Sequence, residues 1–130
     1  MHILRSYRSG ALRRGHEWGL TDDEFDQLTS AACFYCDALP STVFRSGKNN
    51  GEFVYNGIDR VNNRRGYVPG NVVSCCKLCN LAKGRLSYAD FIEWILRLGE
   101  KQFNTLQAWE EKENFTAQLL LGDNDDDEEP

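Results

Sequence analysis

The chain has 130 residues, 41% of them hydrophobic and 27% charged, with a formal net charge of −5. That composition is globular: it is too apolar for a disordered chain, and no apolar run approaches the roughly 20 residues needed to cross a bilayer. The net charge taken alone argues against a polyanionic partner, but six of the 20 acidic residues crowd into the last eight positions.

Residues 3–14 place Ile3, Leu4, Tyr7, Ala11 and Leu12 at helical spacing among Arg5, Arg8, Arg13 and Arg14, with Gly15 as a stop. This predicts a basic amphipathic first helix. The N-terminus has no signal-peptide apolar stretch, so a cytosolic protein is expected. The segment Leu20-Thr21-Asp22-Asp23-Glu24-Phe25 predicts a second, short helix. Thr21 can cap it, Glu24 can answer three residues on, and Leu20 with Phe25 can close the staple. It should run to about Ser30. Residues 33–51 read as a knuckle, Cys33-Phe-Tyr-Cys36, followed by a polar loop.

Residues 52–61 and 72–75 are rich in β-branched and aromatic types, and residues 62–70 between them are rich in turn formers. They predict a hairpin with a long basic tip. After Cys76-Lys77-Leu78-Cys79-Asn80 a short helix is expected. Ser87 and Asp90 then cap a further helix in which Phe91, Trp94, Ile95 and Leu98 recur, ending at Gly99. A last helical pattern from Glu100 to Leu121 carries Phe103, Leu106, Trp109, Phe115, Leu119 and Leu120. Trp94, Trp109 and Phe115 read as packing residues. The run 123–130 reads as a disordered acidic tail that serves solubility or shields a basic face. The expected division is N-terminal helices (1–32), a core (33–99), a C-terminal helix (100–122) and the tail.

The pairs Cys33/Cys36 and Cys76/Cys79, separated by 39 residues, have zinc-ligand spacing. A two-residue spacer lets both sulfurs of a turn reach one tetrahedral ion at about 2.3 Å, and two such turns complete a structural site. Reduced core thiols, or one redox pair, are the competing readings. Cys75 beside Cys76 should point the other way along a strand, as a buried apolar thiol. Without the tail the chain carries 15 basic against 14 acidic residues, and from Arg45 to Arg85 eight against two. Such a segment suits a phosphate-binding surface. Arg64, Arg65, Lys77, Lys83 and Arg85 cluster around the expected hairpin tip and following helix, as backbone contacts to DNA would. Arg5, Arg8, Arg13 and Arg14 could extend that surface or form a solvated face.

In order, Cys33-x-x-Cys36, Asn56-Gly57-Ile58-Asp59-Arg60-Val61-Asn62-Asn63, Gly66-Tyr67, Asn71-Val72-Val73 and Cys76-x-x-Cys79-Asn80-x-x-Lys83 resemble the HNH (His-Me finger) endonucleases common in bacteriophages and other viruses. The resemblance runs from about Tyr7 to Leu98. It implies an α+β fold: a small zinc-stapled ββα-metal core with flanking helices, and a divalent magnesium or manganese ion at the scissile phosphate. By position, Asp59 resembles the carboxylate ligand, Asn80 the second ligand, and Asn71 the asparagine that braces the long turn. The implied activity is hydrolysis of DNA phosphodiester bonds, with one site nicking one strand.

Arg60 departs from the pattern, because most members carry there the histidine that activates water, and an arginine cannot accept a proton at neutral pH. Three readings follow: Arg60 clamps the phosphate in the transition state; another group such as Tyr67 or Glu52 acts as base; or catalysis is lost and a zinc-containing nucleic-acid binder, inhibitor or accessory protein remains. Nothing in the sequence places either histidine, His2 or His16, near Asp59, and both read as surface residues.

Overall fold

In the computed structural model of the chain, residues 2–45, 47 and 51–110 are described. Their order is α1 (His2–Arg13), α2 (Asp22–Ser30), β1 (Thr42–Arg45), β2 (Glu52–Tyr55), β3 (Gly57–Arg60), β4 (Val72–Cys75), α3 (Lys77–Lys83) and α4 (Tyr88–Glu110). The chain divides into two compact units, Met1–Ala89 and Asp90–Pro130. Both sheets are two-stranded and antiparallel, β1 with β2 and β3 with β4. The class is therefore α+β. Among the described residues no helix is long and apolar enough to cross a membrane.

Helix α1 buries Ile3, Leu4, Gly10 and Ala11, the face that the apolar spacing marks, although Leu12 is exposed. Gly15, at φ +73°, turns the chain after it, a backbone region that glycine enters without steric cost. Helix α2 starts on the capping box read from the sequence: Glu24 N donates to Thr21 Oγ1 at 3.1 Å, and Thr21 N to Glu24 Oε2 at 2.8 Å. It carries Phe25, fully buried, into a core shared with Ile3, Leu4, Ala11, Leu20, Ile58, Tyr67 and Val72. Burial of one such side chain stabilises by about 2–3 kcal/mol.

The single strand expected over 52–61 is two. Asn56 breaks it: its side chain is buried, its backbone N donates to Thr29 O, and its Nδ2 donates to Ala31 O and Ala38 O. Those bonds draw the backbone out of ladder register toward the end of α2. Residues 52–55 therefore pair with 42–45, where a loop was expected, and only 57–60 pair with 72–75.

The second correction is at Gly99. Helix α4 runs through it to Glu110, because an interior glycine costs only about 1 kcal/mol and stops a helix only when the backbone also turns. Trp94, expected to pack, is 37% exposed, and Ile95 and Leu98 of the same pattern are exposed too. Phe115, Leu119, Leu120 and the acidic tail lie outside the described residues, as does the side chain of Trp109.

Candidate metal centre and adjoining cleft

The knuckle closes on itself and is fastened to β4. Cys33 N donates to Ala38 O and Asp37 N to Cys33 O, both at 2.8 Å, with Asp37 at positive φ. Phe34 N donates to Ser74 O at 2.8 Å, and Ser74 Oγ to Ala31 O at 3.1 Å. Cys76 caps α3, its sulfur accepting from Cys79 N at 3.4 Å. The sulfurs of Cys33, Cys36, Cys76 and Cys79 thus lie within 4.8 Å of one another, with Cys36 and Cys76 at 3.7 Å.

A tetrahedral ion bound at about 2.3 Å would separate its sulfur ligands by about 3.8 Å, so the four thiols could hold a structural metal such as zinc. Their electrostatics agree. Burial raises the Cys33 thiol, but backbone N–H donors from Cys76, Cys36 and Tyr35 outweigh it and bring it to about 7. Burial, then the thiols of Cys36 and Cys76, push Cys79 well up. Crowded sulfurs cannot all ionise without a cation among them. Cys75 is fully buried beside Cys33 and Cys76, outside the set of four, and desolvation, then the Asp59 charge, holds its thiol in the neutral form.

Asp59 sits in β3 opposite Val73 and is nearly buried. Its Oδ2 accepts from Tyr35 Oη at 2.7 Å and from Lys83 Nζ at 3.2 Å. Lys83 is 1% exposed and also donates to Arg60 O at 3.3 Å. This corrects the sequence expectation for Lys83, which cannot be a surface contact to DNA. Its placement in the last turn of α3 points the stem inward, and its ammonium is tolerated there because a carboxylate and a carbonyl receive it. Burial, then the bond to Asp59, raise the Tyr35 hydroxyl, which therefore stays a donor.

The turn after β3 is organised by Asn71 and Arg60. Asn71 is buried and bridges the turn: Oδ1 accepts from Asn62 N at 2.9 Å, and Nδ2 donates to Asn62 O at 3.1 Å and Gly66 O at 2.9 Å. Asn63 ties the turn to the chain after α3 through Arg85 O and Leu86 O. Arg60 Nη1 donates to Asn63 O and Arg65 O, each at 2.9 Å, and its guanidinium lies 5.5 Å from the Tyr67 ring centre.

His16 is where the sequence expectation fails. Residues 17–19 run beside 66–68: Tyr67 N donates to Glu17 O and Gly19 N to Tyr67 O, both at 2.8 Å. Gly66 permits this approach, since a Cβ there would fall 2.5 Å from Glu17 O. His16, half-buried, is brought to 3.3 Å from Arg60 Nη1. It is therefore part of the site, 44 positions from its contact in sequence, and no local pattern signals it. Desolvation, then the charges of Arg60 and Arg14, lower its pKa below the ordinary value, so the ring is neutral at pH 7.

Asp59, Arg60, His16, Asn63, Asn80, Tyr67, Arg14 and Arg85 line one cleft of about 410 Å³. Arg64 and Arg65 line an adjoining cleft that shares His16. Lys77 is exposed on α3 and lines neither. Of the alternative bases, Glu52 is on the other sheet, paired with Arg45 at 3.0 Å, while the Tyr67 hydroxyl accepts from Arg14 at 3.1 Å. Of the basic N-terminal residues, Arg8 pairs with Asp22 and Arg14 reaches the cleft. With the Asp59 charge matched by Lys83, the arginines leave the cleft cationic and suited to an anion. Sequence reasoning missed His16 and Tyr35, and left Arg14 between the phosphate surface and a solvated face. The position of Tyr35 between two paired cysteines was the single available signal.

No family model matches this chain, and no solved structure matches it. An uncharacterized protein, R423, of Acanthamoeba polyphaga mimivirus is 40% identical over 86 residues, which cover 66% of this chain and 14% of that protein. The matched part of this chain thus spans only a small share of its viral relative.

Proposed function

We propose that this chain is a metal-dependent nuclease of the HNH (His-Me finger) type, hydrolysing phosphodiester bonds in DNA, with β3, β4 and α3 as its ββα-metal core. One observation carries the reading: a carboxylate from β3 and an amide from α3 line a single cationic cleft, beside a four-cysteine cluster. The cleft chemistry is that of a phosphate site, and the viral relative is in keeping with a setting inside an infected cell.

A hard divalent ion prefers oxygen ligands, keeps several waters and is bound through one or two carboxylates. Asp59 and Asn80 offer one carboxylate and one amide. Asp59 and Asn80 would hold such an ion, with Tyr35 and Lys83 steadying the carboxylate through Oδ2. This donor set fits magnesium or manganese. Such an ion supplies neutralisation of the phosphoryl oxygens and a bound water of lowered pKa.

The remaining work belongs to the side chains. Arg14 and Arg85 hold the phosphate within the cleft, with Arg64 and Arg65 extending the track across the adjoining one. Tyr35 and Lys83 fix the Asp59 carboxylate, and Asn71 keeps the turn in shape. Arg60 Nη1 is committed to turn carbonyls, so it braces the site instead of supplying the missing base.

The test is supercoiled plasmid incubated with magnesium or manganese, comparing the native chain with Asp59→Ala and Asn80→Ala. Nicking that both substitutions abolish is expected; nicking that survives both removes the site assignment. A second reading, a non-catalytic zinc-containing nucleic-acid binder or accessory protein, is favoured by the arginine at position 60 and by the ammonium already paired with Asp59. Retained DNA binding without cleavage in any metal would establish it.

A further inference from the structure

We propose that His16 contacts the phosphodiester as a neutral hydrogen-bond donor through Nε2, and that Arg60 is the positioning residue that holds it in that form. This rests on the nuclease reading above and adds to it a residue from outside the hairpin and helix.

An arginine side chain has five donors and no acceptor. The two Nη1 hydrogens of Arg60 serve Asn63 O and Arg65 O, so its 3.3 Å approach to His16 Nδ1 is a shared, three-centre contact; it favours a bare Nδ1, because an Nδ1–H would face those same hydrogens. A neutral imidazole with a bare Nδ1 carries its proton on Nε2. In that state the Nδ1 lone pair faces the guanidinium and Nε2 carries the proton, so the ring donates and does not act as a base. Arg60 is held where it makes this contact, because the same Nη1 donates to Asn63 O and Arg65 O.

The ring is fixed from its other sides too. Tyr67 meets it edge-on, with centroids 6.3 Å apart, and the pairing of residues 17–19 with 66–68 holds its backbone. The charged groups around it are Arg60 and Arg14, then Glu17, Arg64 and Arg65 along the adjoining cleft, and Arg85 and Asp59, the latter paired with Lys83, in the shared one. Its pKa is lowered, so the neutral ring persists at physiological pH. An N–H polarised by a neighbouring guanidinium suits a nonbridging phosphoryl oxygen, on which charge grows in the transition state.

The experiment uses the full zinc-loaded chain, a short DNA duplex, and the variants His16→Ala, His16→Gln and His16→Asn. Affinity is read by fluorescence anisotropy without divalent cation, and cleavage rate with manganese. The amide nitrogen of glutamine reaches the place of Nε2, whereas that of asparagine reaches Nδ1. Alanine should lower rate or affinity by about tenfold or more, glutamine should stay within about threefold of the native chain, and asparagine should resemble alanine. Independently of activity, ¹⁵N NMR of the imidazole at pH 7.5 should show the Nε2–H tautomer, and Arg60→Gln should mix the tautomers. An Nδ1–H ring in the native chain overturns the proposal. So does glutamine as damaging as alanine together with a lost acid limb of the pH–rate profile, which would make His16 a base. A native chain that neither binds nor cleaves DNA removes the nuclease reading and this inference together. Native activity undiminished in His16→Ala removes this inference alone.

Discussion

Replacing Lys83 by methionine would leave the Asp59 carboxylate nearly buried, with its ammonium partner gone and the Tyr35 bond remaining. The two side chains are 0% and 10% exposed, so water cannot take over the lost partner without the hairpin opening. Removing one member of a buried pair costs about 3–5 kcal/mol, and the surviving Tyr35 bond argues for the lower end, about 3 kcal/mol. Each kcal/mol moves Tm by about 4–8 °C for a unit of this size, so a fall of about 12–24 °C is expected. The measurement is calorimetry at pH 7 with zinc in fixed excess, since metal binding to the native state shifts Tm by mass action. Adding Asp59→Asn to Lys83→Met removes the stranded charge and should recover more than half of the loss, a coupling of about 2 kcal/mol across the cycle. A Tm fall below about 4 °C for Lys83→Met, or strict additivity of the two substitutions, would refute the claim that the charges depend on each other.

The purified chain should carry one tightly bound zinc ion, measured by elemental analysis, and Cys36→Ser should lose it together with near-native circular dichroism; a metal-free chain that stays folded in strong chelator contradicts the cluster's role. Gly66→Ala forces a methyl group against the Glu17 backbone and should destabilise by about 1–3 kcal/mol in urea unfolding, with no effect on zinc content. The His16 ring should titrate, by NMR, with a midpoint below that of an unfolded histidine, and Arg60→Gln should raise it. Because the native state binds this proton more weakly than the unfolded chain does, the His16 contribution to stability is complete above the unfolded pKa and is lost as pH falls through the folded one. A denaturation midpoint in His16→Gln that keeps the native slope between pH 7 and 5 would contradict that linkage.

Local patterns determined what depends on neighbours a few residues away. Thr21 and Glu24 mark the start of α2 because a capping box is closed within four positions. The Cys-x-x-Cys spacing marks both knuckles because two sulfurs of one turn face one point, and the basic turn between Arg60 and Val72 is a matter of residue type. Tertiary structure decided the rest. Asn56 splits a continuous β-pattern only because the carbonyls of Ala31 and Ala38 wait for its amide. Lys83 looks like a surface cation until the fold sets the Asp59 carboxylate 3.2 Å from its ammonium. Gly99 reads as a stop, yet α4 continues through it. His16 enters the site because a backbone pairing 50 positions distant, open only to glycine at residue 66, carries it to Arg60. Propensity and spacing act through the chain, whereas burial, charge pairing and tautomer are set by groups that the chain brings together only after it has folded.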